Sequence, residues 1–467
     1  MTFPVSNEGY SLFLEGQVAL SQVEHNGMKI DTDYLDNKIL ETEARIEKLA
    51  EGLKKDKDCR KVYKTWKRRY GVSTNLGSRE QLGTILFDVF KIKGGAATRG
   101  GRWKADKDAL EDIDLPFIHK FLEVEKLKKA NTTYLKGIKR EVDSNGFLHP
   151  SYNLNLVATF RSSADSPNVQ TMPIRDEDMS SLIRPCFIPR HSKWRFTERD
   201  FSGIEVRTCA CNCKDPNLIK YIYDKTSDMH RDLAQQLFML DADDVSKKAR
   251  YAAKNGFTFP EFYGDFWASC AKNLWSKIIR MEITTEKGIP LLDHLKTKGI
   301  KTLGEFQPSM DPKKGTFMQH VKQVEDDFWK RRFKIYGQWK WDIWNQYVAQ
   351  GYLDTLSGFR CSAIMDKKQA SNYGPQGDAA HCLLWCLIRV QKLLKKYKLR
   401  ACITGQIHDS LLADVHQNDL KAYAEITEKV MSHDIRKHWD WIIVPLESEL
   451  EAAPAGKSWY EKKKVEF

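Results

Sequence analysis

Several features are missing from this sequence of 467 residues, and each absence excludes a class of protein. No apolar run approaches the length of a membrane-spanning helix, and the N-terminus MTFPVSNEGY lacks the basic-then-apolar pattern of a signal peptide. The ten cysteines form no CxxC pair and no evenly spaced framework, which favours free thiols in a reducing compartment. No internal repeat or low-complexity tract is present. We therefore expect a cytoplasmic protein with no membrane partner.

Two short motifs also lack the spacing that their apparent chemistry requires. The loop at 94–101 (GGAATRGG) is rich in glycine but does not have the GxxxxGK[ST] spacing of a phosphate-binding P-loop. Cys209, Cys211 and Cys213 lie in a predicted helix, where residues two apart point about 200° away from each other. These three thiols cannot converge on a zinc ion.

Positive charge is in excess. Lysine and arginine number 75 against 63 acidic residues, for a net charge of +12, which suits a polyanionic partner. Much of this charge lies between Lys54 and Arg69, where Tyr63 and Trp66 are interleaved with basic residues. This stretch is either a solvated helix face or a surface that contacts phosphates.

Two aspartates stand at the ends of predicted rigid elements. In RDFSGIEVR (199–207), an alternating strand pattern ends and a helix begins, which places Asp200 at the edge of a sheet. In QIHDSLLADV (406–415), Asp409 lies at the bend of a predicted hairpin. Carboxylates in such positions are suited to hold a hard metal ion such as Mg²⁺.

The rest of the chain is predicted to be mainly helical. An amphipathic helix follows Leu35, after a cap at Asp31 or Thr32, since apolar residues recur at helical spacing. Further helical stretches are predicted at 115–139, 228–347, 369–396 and 420–438, and a last strand at 441–449. Glycine and proline interrupt the helical stretch at 228–347 between residues 289 and 314, which indicates an insertion.

Taken together, the motifs resemble those of family A DNA polymerases, the relatives of bacterial DNA polymerase I. RDFSGIEVR resembles the first catalytic motif, ARYAAKNGFTFPEFYG (249–264) the second, and QIHDSLLADV the third. TFRSSADSPNVQTMPIR (159–175) resembles the segment that contacts the minor groove of the template–primer, and NYGPQGDAA (372–380) the entry to the helix before the third motif. The resemblance extends from about residue 15 to 460, and the second motif and the insertion are most similar to those of bacteriophage members.

This resemblance implies an α+β fold in the shape of a right hand. Residues 1–20 would be a lead-in and residues 21–150 a helical thumb. The palm, built on an antiparallel sheet, would comprise 151–225 and 346–467. Helical fingers would occupy 226–345, with the insertion at about 289–314.

The function implied is template-directed addition of dNTPs to a primer 3′ end by two-metal-ion nucleotidyl transfer. Two Mg²⁺ ions would be the cofactors, with Mn²⁺ as a substitute. Residues 1–20 leave no room for a proofreading exonuclease domain, so we expect polymerisation without editing. A separate exonuclease or a processivity factor would then be a partner. The resemblance also implies a monomer that replicates phage DNA in the cytoplasm of a bacterial host.

The resemblance assigns roles to individual residues. The catalytic residues would be Asp200, Asp409 and Lys254, and the metal ligands Asp200, Asp409 and the carbonyl of Phe201. The dNTP would be bound by Glu205, His230, Arg250, Lys254, Phe257 and Tyr263. The DNA would be contacted by Arg161, Asn168, Gln170, Arg360, Asn372, Gln376 and His408.

Some of these residues also have interpretations that do not depend on the resemblance. Ser202 and Glu205 have the spacing of a capping box, although the resemblance places Glu205 below the sugar of the nucleotide. Arg250 and Lys254, four residues apart, share a helix face and could bind triphosphate oxygens. Phe257 lies about 20° from Arg250 on that face. Counting back from Tyr263 in the family motif points instead to Phe259 as the ring that stacks on the base. We predict Phe257, because it shares the helix face of Arg250.

Two positions depart from the family pattern. Ser410 follows Asp409 where an acidic residue is usual, which removes a negative charge but not the two metal ligands. Gly203 replaces a larger polar residue.

Two other functions remain open at this stage. One is a single-subunit RNA polymerase, against which Glu205 argues because it would collide with a 2′-hydroxyl. The other is an inactive DNA-binding replication subunit, against which the intact acidic and basic residues argue.

Overall fold

The computed structural model describes residues 2–92, 96–98, 100–111, 113–174, 176–306 and 315–466. Parts of the glycine-rich loop at 94–101 and of the insertion at 289–314 lie outside the described residues, as does Arg175.

Fourteen strands in the described ranges form five antiparallel sheets, and the largest carries both aspartates. The strands are β1 (Thr2–Pro4), β2 (Met28–Lys29), β3 (Ala96–Ala97), β4 (Trp103–Lys104), β5 (Phe147–Leu148), β6 (Ser151–Asn153), β7 (Ser163–Asp165), β8 (Trp194–Phe201), β9 (Leu353–Asp354), β10 (Phe359–Cys361), β11 (Ala401–Ile407), β12 (Ser410–His416), β13 (Ser448–Ala452) and β14 (Lys463–Lys464). The central sheet has the order β11-β12-β8-β13-β14. It joins segments that are more than 200 residues apart in the sequence.

Helices surround this sheet. Before it come α1 (Asn7–Asn26), α2 (Thr32–Lys55), α3 (Arg60–Tyr70), α4 (Arg79–Gly83), α5 (Lys107–Glu111), α6 (Pro116–Lys129), α7 (Lys136–Glu141) and α8 (Glu177–Ile183). Between β8 and β9 lie α9 (Ile204–Cys213), α10 (Pro216–Tyr223), α11 (Met229–Phe238), α12 (Lys247–Ala253), α13 (Phe259–Phe262), α14 (Trp267–Arg280), α15 (Leu291–Thr297), α16 (Phe317–Asp327) and α17 (Lys334–Gln350). The last three are α18 (Lys367–Lys396), α19 (Leu420–Glu428) and α20 (Ile435–His438).

Most of the predicted elements are confirmed. The hairpin of β11 and β12, the helix that starts after Asp200 and the long helix before the hairpin are all present. Asp31 caps α2, because its carboxylate accepts a hydrogen bond from the backbone N–H of Tyr34 at 2.9 Å. The prediction of a strand at 441–449 is wrong, since the strand there begins only at Ser448.

The first residues of the chain pack on its C-terminal half. β1 pairs with β10, and α1 lies against α18 and β11. Leu12 and Leu20 of α1 are buried in the main core. The segment that was expected as a lead-in is therefore held in place by the same apolar packing as the rest of the fold.

The basic stretch at 54–69 belongs to a separate, smaller core. Residues between 53 and 124 form their own buried cluster, in which Trp66 is fully buried among Phe117 and Phe121. The indole N–H of Trp66 donates a hydrogen bond to Gln81 at 2.8 Å. Trp66 is thus a core residue and not part of the exposed basic surface.

Two glycines in helices give a paired test of this packing. A Cβ at Gly16 in α1 would lie 2.7 Å from a methyl group of Leu384, whereas a Cβ at Gly52 in α2 would meet nothing within 4 Å. We expect Gly16→Ala to lower the free energy of unfolding by about 1–3 kcal/mol through overpacking. Gly52→Ala should raise it by up to about 1 kcal/mol, because alanine favours the helix. Urea denaturation of both variants measures the difference, and equal effects would contradict the close packing of α1 on α18.

Candidate active site

The pairing of β12 with β8 brings the two predicted aspartates together. Ser410 lies opposite Asp200 in the register, so the turn that contains Asp409 sits at the end of β8. The backbone N–H of Phe201 donates to the carbonyl of Asp409 at 3.2 Å, and the carboxyl group of Asp409 is close enough to raise the pKa of Asp200. Two residues from motifs 209 positions apart thus meet at one edge of the sheet.

The electrostatics of this pair indicate an affinity for cations. Burial raises the pKa of Asp200, and the nearby charges of Asp409 and Glu198 raise that pKa further. Burial also raises the pKa of Asp409. Because two adjacent carboxylates cannot both be charged at low cost, a divalent cation between them would offset their repulsion. Their hard oxygen atoms fit Mg²⁺, with the Phe201 carbonyl as a further oxygen of the kind that Mg²⁺ accepts.

Other acidic or ligating side chains do not complete a cluster here. Within the residues that the structure describes, no group of three or more His, Cys, Asp or Glu side chains has the arrangement of a metal site. The thiols of Cys209, Cys211 and Cys213 are buried and free. The two aspartates, with backbone and solvent oxygens, are therefore the candidate ligand set.

A buried polar layer below Asp200 was not predicted from the sequence. Glu198, two residues earlier on the same strand, accepts hydrogen bonds from the indole N–H of Trp459 at 2.7 Å and from the ammonium of Lys462 at 2.6 Å. Lys462 in turn pairs with Glu451. In the sequence, only the position of Glu198, two residues before Asp200 on the same predicted strand, indicates that both side chains lie on one face. This layer anchors the end of the strand that carries Asp200.

Ser410 has a structural role. Its hydroxyl donates to the carbonyl of Ile407 at 3.0 Å and so closes the hairpin turn, while its side chain is buried. His408 occupies the tip of the turn with a positive φ of 51° and is exposed. The serine at this position therefore stabilises the turn that presents Asp409.

Glu205 is held by two other predicted site residues. The prediction of a capping box with Ser202 is wrong, because Gly203, with a φ of 63°, is the residue that caps α9, and no side chain accepts a hydrogen bond there. Glu205 instead accepts hydrogen bonds from the hydroxyl of Tyr263 and from the guanidinium of Arg161, the latter at 3.1 Å. Burial and the charge of Glu205 raise the pKa of Tyr263, which keeps its hydroxyl as the donor.

A cleft of mixed charge lies beside the segment that follows Asp200. Its volume is about 830 Å³, and its lining includes Ser202, Gly203, His230, Lys254 and Phe259 together with further basic and acidic side chains such as Arg207 and Glu447. The Lys254 ammonium lies 5.1 Å from the centre of the Phe259 ring. Burial, followed by the charges of Lys254 and Arg250, lowers the pKa of His230 to about 4, so this imidazole is neutral near pH 7.

Arg250 lies beside this cationic set but has its own partner. Its guanidinium pairs with Asp228 at 2.5 Å. Asp228 also caps α11, the helix that carries His230. The positions of Arg250 and His230 are therefore linked through one carboxylate.

The choice of Phe257 as the stacking ring is contradicted. A π-helical turn spans Lys254–Thr258, so one extra residue is accommodated inside the helix and the residues after it are rotated. Phe257 is fully buried and packs against Phe328, with ring centres 5.5 Å apart. Phe259, 5.6 Å from His230 and 6.1 Å from Tyr263, faces the cleft. The rejected alternative is the one that the geometry favours, because a straight helix was assumed in choosing Phe257.

The predicted DNA-contacting residues lie in four segments: the loop with Arg161, Asn168 and Gln170, the strand β10 with Arg360, the helix α18 with Asn372 and Gln376, and the turn with His408. Asn372 donates to the carbonyl of Tyr263 at 2.8 Å, and Gln376, one turn further along α18, lines a small cavity with Glu205 and Tyr263. Gln170 donates to Ser162 at 3.1 Å and to the carbonyl of Gln406, close to His408. These contacts bring most of the predicted set to one side of the sheet.

Two members of the set have local roles in the structure. Asn168 caps a short helical turn by accepting a hydrogen bond from the backbone N–H of Gln170. Arg360 forms a bidentate pair with Asp354 at 2.7 and 2.8 Å and stacks on Tyr352. Neither contact gives the residue a direct link to the two aspartates.

The sequence and the fold were then compared with known proteins. The family model "DNA polymerase family A" matches residues 43–286 and 318–461. The chain belongs to this family. The unmatched range between the two parts includes the predicted insertion at 289–314. No helix among the described residues is long and apolar enough to cross a membrane.

Individual relatives are bacterial enzymes. The chain is 25% identical to DNA polymerase I of Bacillus subtilis over 98% of its own length and 47% of that protein. It is 27% identical to the thermostable DNA polymerase I of Thermus filiformis over 95% of its length and 47% of that protein. The chain thus spans about half the length of the curated relatives it matches. These relatives do not support the bacteriophage type, which stays a prediction.

A solved structure shares the fold. The POL domain of Pol1 from M. smegmatis, in complex with DNA primer-template and dNTP, matches 96% of this chain and 70% of that chain. The TM-score is 0.74 at 23% sequence identity. The predicted α+β right-hand fold is confirmed by this match.

Phe257 and Phe259 allow a direct test of the corrected assignment. We expect Phe257→Ala to lower the free energy of unfolding by about 3–5 kcal/mol, because it leaves a cavity in the core. Phe259→Ala should change stability little; if this ring stacks on the base of a dNTP, as proposed below, the variant should bind dNTP about tenfold more weakly. Denaturation and dNTP titration of both variants, each with primer–template present, provide the measurements. A wild-type dNTP affinity in Phe259→Ala would contradict the assignment of Phe259 as the ring that stacks on the base.

Proposed function

We propose that this chain is a DNA-directed DNA polymerase that adds dNTPs to a primer 3′ end. The observation that carries the proposal is the meeting of Asp200 and Asp409 at one sheet edge, near a cleft that contains Lys254 and Phe259. The family membership supports it, and so do relatives named DNA polymerase I. Because the chain spans only part of those relatives, its own activity needs a direct assay.

The aspartates would hold two Mg²⁺ ions, for which Mn²⁺ could substitute. Bound Mg²⁺ would supply the Lewis acid that activates the primer 3′-hydroxyl and stabilises the leaving pyrophosphate. Asp200 and Asp409, with the Phe201 carbonyl, would be the residues that hold the cations. The buried contacts of Glu198 keep the end of β8 rigid, which preserves the spacing of these ligands.

The residues of the cleft position the nucleotide. Arg250, Lys254 and neutral His230 bind triphosphate oxygens, and the Lys254 ammonium stabilises the charge that develops there. The Phe259 ring stacks on the base. Glu205, fixed by Tyr263 and Arg161, forms a rigid wall below the sugar.

The remaining predicted residues contact the duplex. Arg161, Asn372, Gln376 and Gln170 face the minor groove, where every correct base pair presents similar acceptors. His408 supports the primer end, and Asn168 and Arg360 lie at the margins of this surface. Contacts of this kind test the shape of a pair without reading its sequence.

The domain division in this proposal follows the resemblance. Residues 21–150 would form the thumb, 226–345 the fingers, and 151–225 with 346–467 the palm. Residues 1–20 are assigned to the palm side because of their packing on α18 and β10. Closure of the fingers on a correct pair completes the site, a form of induced fit.

Other parts of the hypothesis rest on the resemblance alone. These are the role in phage replication, the monomeric state, the location in a bacterial cytoplasm, and a separate exonuclease or processivity factor as partner. A radiolabelled primer that is shortened by the pure protein without dNTPs would contradict the need for a separate exonuclease.

Replacing Asp409 tests the metal-binding pair by two independent measurements. We expect Asp409→Asn to lower Mg²⁺-dependent primer extension at least about 100-fold, with DNA binding retained. Since the pKa values of both carboxyls are raised in the folded protein, the ionised pair costs stability as the pH rises through those values. At pH 8 without divalent ions the variant should therefore melt at a higher temperature than the wild type. Mg²⁺ should raise the melting temperature of the wild type and not that of the variant.

Two results would decide against this site. Undiminished extension by Asp409→Asn would remove the aspartates from the chemistry. A wild type that binds DNA but never extends a primer would favour the inactive DNA-binding subunit.

Glu205 tests the choice between deoxyribonucleotide and ribonucleotide. Because Glu205 is held on two sides, we expect Glu205→Ala to open space for a 2′-hydroxyl and to reduce the preference for dNTP over rNTP about 10- to 100-fold. Single-nucleotide incorporation with each dNTP and rNTP measures the ratio. A wild type that incorporates rNTPs as well as dNTPs would support the RNA polymerase alternative instead.

A further inference from the structure

A buried polar cluster lies behind the predicted DNA-contacting surface and is not used by the mechanism above. It consists of Ser357, Asp378 and His381, each at most 2% exposed. Asp378 and His381 belong to α18, and Ser357 lies in the turn between β9 and β10. Burying a carboxylate in a protein interior costs free energy unless the carboxylate accepts several hydrogen bonds.

Asp378 is saturated with donors from two other elements. One oxygen accepts from the backbone N–H of Ser357 at 3.0 Å and from its hydroxyl at 2.8 Å. The other accepts from the side-chain amide of Asn212 in α9 at 3.0 Å and from the backbone N–H of Leu356 at 3.4 Å. This one carboxylate therefore joins α18, α9 and the turn at 354–358.

The hydrogen-bond pattern defines the protonation of His381. Since the Ser357 hydroxyl donates to Asp378, it must accept from Nδ1 of His381. Burial lowers the pKa of His381 to about 3, so the ring is neutral and its Nε2 carries no proton. The ring stacks on Phe359, the residue before Arg360, with centres 4.1 Å apart. The cluster is thereby connected to β10.

The loop that carries Arg161 also packs closely against α18 next to this cluster. A Cβ at Gly377, between Gln376 and Asp378, would lie 3.2 Å from the carbonyl of Thr159 and 2.9 Å from a methyl group of Thr355. Thr159 is two residues before Arg161. In addition, the hydroxyl of Thr208 in α9 donates to the carbonyl of Pro375 at 2.8 Å. The loop that carries Arg161 thus lies against the same point of α18.

We propose that Asp378, with Ser357 and His381, is a positioning cluster that sets the relative placement of three of the four segments predicted to contact the primer–template. These are the loop with Arg161, the strand with Arg360, and the helix with Asn372 and Gln376. The inference rests on the proposed polymerase function. The cluster contacts neither the nucleotide nor the aspartates, so its loss should affect the recognition of the duplex end more than the chemical step.

Asparagine at position 378 is the sharpest variant. It keeps the size of the side chain but replaces one acceptor oxygen by a donor, which leaves some of the four N–H and O–H groups without an acceptor. We expect Asp378→Asn to reduce the preference for extending a matched over a mismatched primer terminus about 10-fold, and to raise the KM for primer–template. The kcat on a matched primer should stay within about threefold of the wild type.

A second variant and a matched control separate positioning from general destabilisation. Ser357→Ala removes only the hydroxyl between Asp378 and His381 and should shift the same ratio in the same direction. Asp414 is also a buried carboxylate, paired with Arg190 at 2.9 Å, but lies on β12 away from the three segments. Asp414→Asn should lower the melting temperature and leave the mismatch preference unchanged.

The outcomes distinguish this inference from the function on which it rests. If the wild type extends primers but Asp378→Asn and Ser357→Ala retain full mismatch preference, the positioning role is wrong and the polymerase function stands. The same conclusion follows if Asp414→Asn lowers the preference equally. If the wild type does not extend any primer, the proposed function itself is wrong.

Discussion

The site depends on one structural constraint, the antiparallel pairing of β12 with β8. That register places the turn at Asp409 beside the last residues of β8, so that two carboxyl groups touch in a partly buried position. Neither would be stable there as an isolated charge. The sheet holds them together despite their repulsion, because the strands that carry them are anchored by the apolar core on both sides of the register.

The cleft beside this pair is organised by contacts between helices that are distant in the sequence. Glu205 is fixed by Tyr263 and Arg161, Arg250 by Asp228, and Asn372 by the carbonyl of Tyr263. Each polar side chain has a partner before any substrate is bound. Such pre-organisation reduces the conformational entropy that is lost on binding. It also means that the residues act as a connected set, so that single substitutions are not expected to be additive.

The similarity to known polymerases is strong in fold and motifs, and limited in extent. The chain spans 47% of the bacterial DNA polymerase I of Bacillus subtilis, and the family match leaves 287–317 uncovered. Within the matched part, the two positions that the resemblance singles out as departures have local structural roles. Ser410 closes the hairpin turn, and Gly203 adopts a left-handed conformation as the residue that caps α9.

The sequence alone determined what depends on short-range patterns: the strand-to-helix change at Asp200, the hairpin at Asp409, and the long helix, which was predicted at 369–396 and is observed at Lys367–Lys396. The sequence-based prediction was wrong where the same residues are compatible with more than one local conformation. A straight helix would point Phe257 into the cleft, whereas the observed π-helical turn places Phe259 there. The spacing of Ser202 and Glu205 is typical of a capping box, whereas Glu205 accepts hydrogen bonds from side chains of other segments. Only the tertiary structure decided these cases, and only it revealed Glu198 and the cluster at Asp378. Their partners are tens to hundreds of residues away, and no local pattern encodes a contact that forms when the chain folds back on itself.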